Sequence, residues 1–305
     1  MLSLIGTVAL SSIFQAEIDP HRLKIGTPGE MTISTGDWVD TKAGKRSNLA
    51  EFVKQARSHN FVFVGESHDH EVHHKTQADV IAALVRDGRE VIVGFEMFTR
   101  PNQINLAPFT MGRWSDEKFI EEAQWKTQWG FPYPIYKPIF DQVKANRLPM
   151  LALNIPRDWV RTVNRQGLEN LQPENKAQIP AVDVSNKDHR SIFTAMVGGH
   201  SMPGVNMDNM YAAQCVWDTA MADSAVKYLV GRFGSMDNVP KRIAVVIIAG
   251  SGHGSYEQGI NWRIKQSTGF ETLTLICTEA EKEATVSRGL GDFVFVAPPQ
   301  PRKAQ

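Results

Sequence analysis

The stretch Phe61–His74, FVFVGESHDHEVHH, decides the fold. Phe61, Val62, Phe63 and Val64 form an apolar run without polar alternation, the pattern of a strand buried on both faces of a parallel sheet. The chain then passes through Gly65, Glu66, Ser67 and His68 and enters a helix near Glu71. On that helix His73, Gln77, Val80 and Leu84 share one stripe, and His74, Ala78, Ile81 and Val85 the next. Both stripes turn apolar toward their C-terminal ends, which places His73 and His74 at the loop end of a helix packed on the sheet. Strand, polar loop and helix in that order open a βαβ unit.

Working outward, similar Val/Ile/Leu-rich runs recur at Val91–Phe98, Met150–Ile155, Ala244–Ala249 and Thr272–Thr278. Between them lie helix-period stretches at Val72–Arg86, Asp116–Lys126, Pro134–Asn146, Arg157–Asn170 and Asp208–Phe233. Ser47 is expected to cap a further helix carrying Leu49, Phe52, Val53 and Ala56. The fold class is therefore α/β, a largely parallel central sheet flanked by helices. The Trp/Tyr/Phe-dense segment at about 100–146 predicts an inserted helical subdomain, and polar Pro173–Gly204 predicts a long loop or lid. One domain spans 17–297, and 298–305 form a disordered tail.

With 33 basic and 33 acidic residues in 305, the chain lacks the single-sign field that would recruit nucleic acid. Cys215 and Cys277 read as buried thiols, so no disulfide framework is expected. The apolar run Met1–Phe14 is too short for a membrane span and resembles the core of an export signal covering residues 1–16, although no Lys or Arg precedes it. An N-terminal strand is the competing reading. Export would place the protein in the periplasm or cell envelope, and without a signal it would stay in the cytoplasm. No cysteine follows the run, so a lipid anchor at a modified cysteine is not expected.

In an open α/β sheet the ligand crevice lies beyond the carboxyl ends of the strands. This sequence delivers Glu66 and His68, then Glu96, then Asn154 and Arg157, then Gly250, Ser251, Gly252 and His253 to those ends. An apolar strand that runs directly into an acid is unusual unless the acid is used. Of nine histidines, His68, His70, His73 and His74 fall within seven residues. The match to H-E-x-x-H at His70–His74 begins at or before the helix start, so a zinc-protease helix is not expected. Gly65–Asp69 lacks the last glycine of G-x-S-x-G, which leaves Ser67 a weak nucleophile, and Gly250–Ser255 fails the third glycine of a dinucleotide loop.

Five ordered blocks carry a resemblance: GESHDHEVHH (65–74), GFEMFTRPNQ (94–103), YPIYKPIFDQVKANRLPMLALNIPR (133–157), AAQCVWDTAMA (212–222) and IAGSGHGSYEQGI (248–260). Together the chain resembles the ChaN-like haem-binding uptake family, with Tiki proteases and erythromycin esterases as distant relatives. The resemblance covers roughly 37–295 and implies haem binding in bacterial haem and iron acquisition, by an exported protein that dimerises around its cofactor. It puts the cofactor on Glu66, His68, His73, His74, Glu96, Asn154, Arg157, Gln214, Asp218, Met221 and His253. His68, His73, His74 and His253 are the candidate iron ligands, Tyr136 and Tyr256 reserve ligands, and Arg100 and Arg157 candidate partners for propionates. Family members are often lipoproteins, and the missing cysteine departs from that pattern. The rival reading is a hydrolase in which Glu66 acts as base on a water held by His68 and His253, with or without zinc or manganese, while Asn154 or Arg157 stabilises negative charge. A non-catalytic scaffold is the third class.

Overall fold

A computed structural model describes residues 18–198 and 204–300. The apolar N-terminal run and residues 301–305, on which the signal and most of the tail were expected, lie outside the described residues. In chain order the strands are β1 (Glu30–Ser34), β2 (Trp38–Asp40), β3 (Lys45–Ser47), β4 (Phe61–Glu66), β5 (Glu90–Thr99), β6 (Met150–Asn154), β7 (Ile243–Gly250), β8 (Thr272–Glu279), β9 (Glu283–Ser287) and β10 (Phe293–Ala297). The helices are α1 (Leu49–Ala56), α2 (Glu71–Arg86), α3 (Ala107–Thr110), α4 (Asp116–Glu122), α5 (Trp125–Gln128), α6 (Tyr133–Ala145), α7 (Arg157–Gln166), α8 (Pro173–Lys176), α9 (Lys187–Met196), α10 (Met207–Phe233) and α11 (Ile260–Thr268), with short 3-10 turns between.

The main sheet has eight strands in the order β3-β2-β10-β8-β4-β7-β5-β6, and β1 pairs with β9 in a separate ribbon. From β10 to β6 neighbouring strands run parallel, as their continuous apolar character requires, while β2 and β3 add an antiparallel edge. Successive side chains feed opposite layers: Val62 and Val64 face a core built with α1, α2 and α6, whereas Phe61 and Phe63 face one built with α10 and α11. At the far edge, Gln103 donates to the Met150 carbonyl (2.9 Å) and accepts from Ala152 N (2.7 Å). The side-chain amide thus pairs the open edge of β6 as a ninth strand would.

Several expectations need correction. Asn48, not Ser47, caps α1, accepting from Glu51 N, because Ser47 is committed to pairing with Trp38. The helix read through Lys126 breaks between α4 and α5, where Gln124 adopts a left-handed conformation (φ 53°). The lid segment is partly helical: Asn186 caps α9, which buries His189, Ile192 and Phe193. The aromatic insertion, by contrast, packs over the sheet as expected, with Phe109, Phe119, Trp125, Tyr136 and Phe140 joining the same core as Val64 and Phe95. At the tail, Pro298 O accepts from His70 Nε2 (3.1 Å) and Gln300 Oε1 accepts from Glu71 N (3.3 Å), so residues 298–300 dock on the start of α2.

Candidate functional site at the strand ends

The carboxyl ends of β4, β7, β5 and β6 open into a cavity of about 1120 Å³. Its wall includes Glu66, Ser67, His68, Glu96, Asn154, Arg157, Gln214 and His253. Two carboxylate–histidine assemblies stand there side by side, because β7 lies between β4 and β5 and contributes only Gly250 at the level of Glu66.

The first assembly is centred on Glu66, whose side chain is fully buried. Its Oε1 accepts from His68 Nδ1 (3.0 Å) and from the Tyr136 hydroxyl (2.8 Å), and its Oε2 lies 2.9 Å from His74 Nδ1. Burial opposes its charge, but His74 and His68 more than compensate, holding the carboxyl far below its usual range. Reciprocally, both histidines are raised against the effect of burial, chiefly by Glu66. The His68 ring packs edge-on against Trp129 (4.6 Å between centroids) and near Phe131 (5.4 Å). About a third of its side chain remains exposed, and its Nε2 has no hydrogen-bond partner among the described residues.

The second assembly runs through His253. Nδ1 donates to Asp218 Oδ1 (2.5 Å), and Nε2 lies 3.3 Å from Glu96 Oε1. Glu96 Oε2 accepts from Gly250 N (2.8 Å), and the other Asp218 oxygen is 3.0 Å from His189 Nε2. Burial disfavours a charged His253, yet the flanking Glu96 and Asp218 carboxylates push its pKa up to about 10. Glu96 lies within a register shift of β5 against β6, between Phe95 and Thr99.

Several of the other side chains named from the sequence lie off the cavity wall, whereas Asn154 lies on it. His73 is fully buried, accepting from Ser67 N at Nδ1 (3.0 Å) and contacting Thr278 O through Nε2 (3.2 Å). Burial and the stacked His70 push its pKa down to about 3, so it is a neutral strut of the β4–α2 loop. His74 backs Glu66 and His68 O, and Asp218 backs His253. Met221 is core, packed under the sheet. Arg100 is spent on Ser224, Gln178, Ala220 and Asp223. The Tyr136 hydroxyl is given to Glu66, and the Tyr256 hydroxyl to Pro20 O (2.8 Å). Asn154 reaches the cavity but bonds Glu96 O and Ile155 N. The glycines after β7 make room for side chains: a Cβ on Gly250 would meet His68, one on Gly252 Met196 and one on Gly254 Phe63. His70 starts α2 as its N-cap and turns to Pro298 and Glu279 (3.1 Å each), which removes the H-E-x-x-H reading.

His189 was not singled out, although it lines the cavity and supports Asp218. The capping Asn186 ahead of apolar Ile192, Phe193 and Met196 was the signal that its segment is a helix. The aromatic wall, Trp129, Phe131, Phe193 and Trp217, comes from three separate parts of the chain.

Residues 52–264, a span that contains both histidine assemblies, match the family described as haem-binding uptake, Tiki superfamily, ChaN. The chain belongs to the ChaN family. Among solved structures, this family member is similar to ChaN of Campylobacter jejuni, which binds haem cofacially: 19% identity, 85% of this chain and 95% of that one covered, TM-score 0.64. Weaker likenesses are to the type III effector HopBA1 (11% identity, 83% and 94% covered, TM-score 0.47) and to a mutant of the erythromycin esterase EreC in its open conformation (10% identity, 81% and 77% covered, TM-score 0.44). The likeness to the Campylobacter protein describes fold and not chemistry. No curated protein matches the chain. No helix among the described residues is long and apolar enough to cross a membrane.

Proposed function

We propose that this ChaN-family protein binds haem in the strand-end cavity, where His68 would hold the iron through Nε2. The observation that carries the reading is the state of His68. Its Nδ1 is anchored on a buried carboxylate, its Nε2 edge has no protein partner among the described residues, and its ring packs against Trp129 and Phe131 on a cavity wall. A carboxylate behind an imidazole fixes its tautomer and raises its basicity toward a metal. Apolar, aromatic surroundings suit a porphyrin face, and the volume exceeds that of ordinary small-molecule pockets. His253 is a poorer ligand than His68, since both of its ring nitrogens face carboxylates. When bound, haem would supply iron for storage or transfer. The role that follows is haem or iron acquisition by an exported protein, carried out as a homodimer about the cofactor.

The test is titration of the full chain with hemin, read in the Soret region, with light scattering for mass. Wild type should give a saturable, shifted Soret band. His68→Ala should lose roughly tenfold or more in affinity and move the band, while His73→Ala should leave its position unchanged. A saturable band indifferent to His68→Ala removes His68 as ligand.

One observation favours a second reading. His253 held between Asp218 and Glu96 at a cavity wall has the geometry of an oriented proton-transfer group, and with Glu66 and His68 it could serve hydrolysis, with or without zinc or manganese. Turnover of an activated ester, lost in His253→Gln and unaccompanied by hemin binding, would replace the haem reading.

A further inference from the structure

The cavity wall carries cationic groups that neither histidine assembly uses. Arg157 and Arg161 stand one turn apart on α7, and with Val160 and Asn164 they present one face of that helix to the cavity. Arg157 has no hydrogen-bond or ion-pair partner among the described residues. Arg161 pairs with Asp158 (2.7 Å), but Asp158 is 84% exposed, so water competes strongly for that contact. Like charges four residues apart on a helix repel each other unless an anion sits between them. The carboxylates nearest the strand ends do not fill that role: Glu66 is taken up by His68 and His74, Glu96 by His253 and Gly250 N. Both arginines are exposed at the mouth of the cavity, and partial desolvation lowers the pKa of Arg157, which Glu96 opposes and Arg161 reinforces. A pair of guanidinium groups left facing a cavity is suited to carboxylates, which they bind through two parallel hydrogen bonds each.

We infer that Arg157 and Arg161 form a dicarboxylate-recognition pole in the cavity, one guanidinium for each propionate of the bound porphyrin. The inference rests on haem as the ligand and adds its orientation: propionates toward α7, the ring toward Trp129 and Phe131, iron toward His68. It also sets specificity, because a porphyrin whose acids are masked would lose two charge-assisted contacts while keeping its iron ligand and its apolar faces.

The experiment compares hemin with its dimethyl ester on the full chain, by absorbance titration and by quenching of tryptophan fluorescence. Wild type should bind the diacid tighter by about tenfold for each carboxylate recognised. Arg157→Ala and Arg161→Ala should each erode that preference, and the double variant should erase it without moving the Soret band of the complex. Arg157→Lys with Arg161→Lys, which keeps the charge, should restore part of it, and unchanged circular dichroism checks the fold. Equal affinity of wild type for acid and ester overturns the inference while leaving haem binding in place. A preference that survives the double variant overturns the assignment to these arginines. Absence of saturable binding by either porphyrin overturns the haem reading, and this inference with it.

Discussion

Glu66 carries more of the site than any other residue. Its Oε1 accepts from His68 and Tyr136, and its Oε2 lies beside His74 Nδ1, with the side chain buried at the base of the cavity. Replacing Glu66 by Gln keeps the shape and removes the charge that, against the effect of burial, raises the proton affinity of both histidines. His68 should then titrate closer to its ordinary value, visible as a downward shift of its imidazole resonances in an NMR pH series. Hemin affinity should fall about 10- to 100-fold through a less basic ligand. An unchanged His68 titration would mean that the ion pair is not what sets its proton affinity. Tyr136→Phe removes one donor from the same oxygen, and the hydroxyl's approach to His68 O (3.0 Å), but leaves the bond between Glu66 and His68 Nδ1, so it should cost about 1–2 kcal/mol in urea unfolding and much less in binding.

At the scale of elements, the turn after β7 brings the second histidine to the cavity, and its glycines are spatial requirements. A Cβ on Gly254 would lie 2.4 Å from the ring of Phe63, which is itself locked in the core under β4. Gly254→Ala should therefore destabilise by about 1–3 kcal/mol and disturb His253 with it. Gly231, inside α10, has open space where a Cβ would project, with nothing within 4 Å of it. Gly231→Ala should stabilise by roughly 0.5–1 kcal/mol through helix propensity alone. The two substitutions add the same methyl group, and opposite signs in chemical denaturation would separate packing from backbone entropy.

For the whole molecule, the titrating groups impose a pH profile. His253 has its folded pKa raised from 6.5 to about 10, so the native state binds that proton more tightly than the unfolded chain. Its contribution to stability is fully present below about pH 6.5 and is lost as pH rises toward about 10. Glu66 and Asp218 are depressed, so their contribution is present above the ordinary carboxylate range and is lost only as pH falls through their low native values. His73, depressed from 6.5 to about 3, acts in the opposite sense, its contribution present above about pH 6.5 and lost as pH falls toward 3, so thermal stability of the free protein should be greatest near pH 6.5 and decline on both sides, with His253→Gln flattening the alkaline limb. Hemin at about 100 times its Kd should add about 2.7 kcal/mol, seen as a rise in Tm that His68→Ala reduces at the same hemin concentration.

By itself the sequence determined the α/β class, the five apolar parallel strands, the helix after each polar loop, and the set of side chains at the strand ends, because strand burial and helical periodicity are local properties written in neighbouring residues. It also placed Glu66, His68, Glu96 and His253 at one edge, since parallel strands must end together. It could not assign β1, β2, β3, β9 and β10, which are short edge or ribbon strands whose pairing depends on partners up to 257 residues away, as for Glu30 with Ser287. Nor could it distinguish among clustered histidines: His68 and His73 are five residues apart, yet one opens onto the cavity and the other is a neutral strut. That difference, like the support of His253 by Asp218 and His189, was decided by tertiary structure alone. Burial and the choice of hydrogen-bond partner, which set each imidazole's charge and free nitrogen, arise only when β4, α2, α9 and α10 meet at the sheet edge.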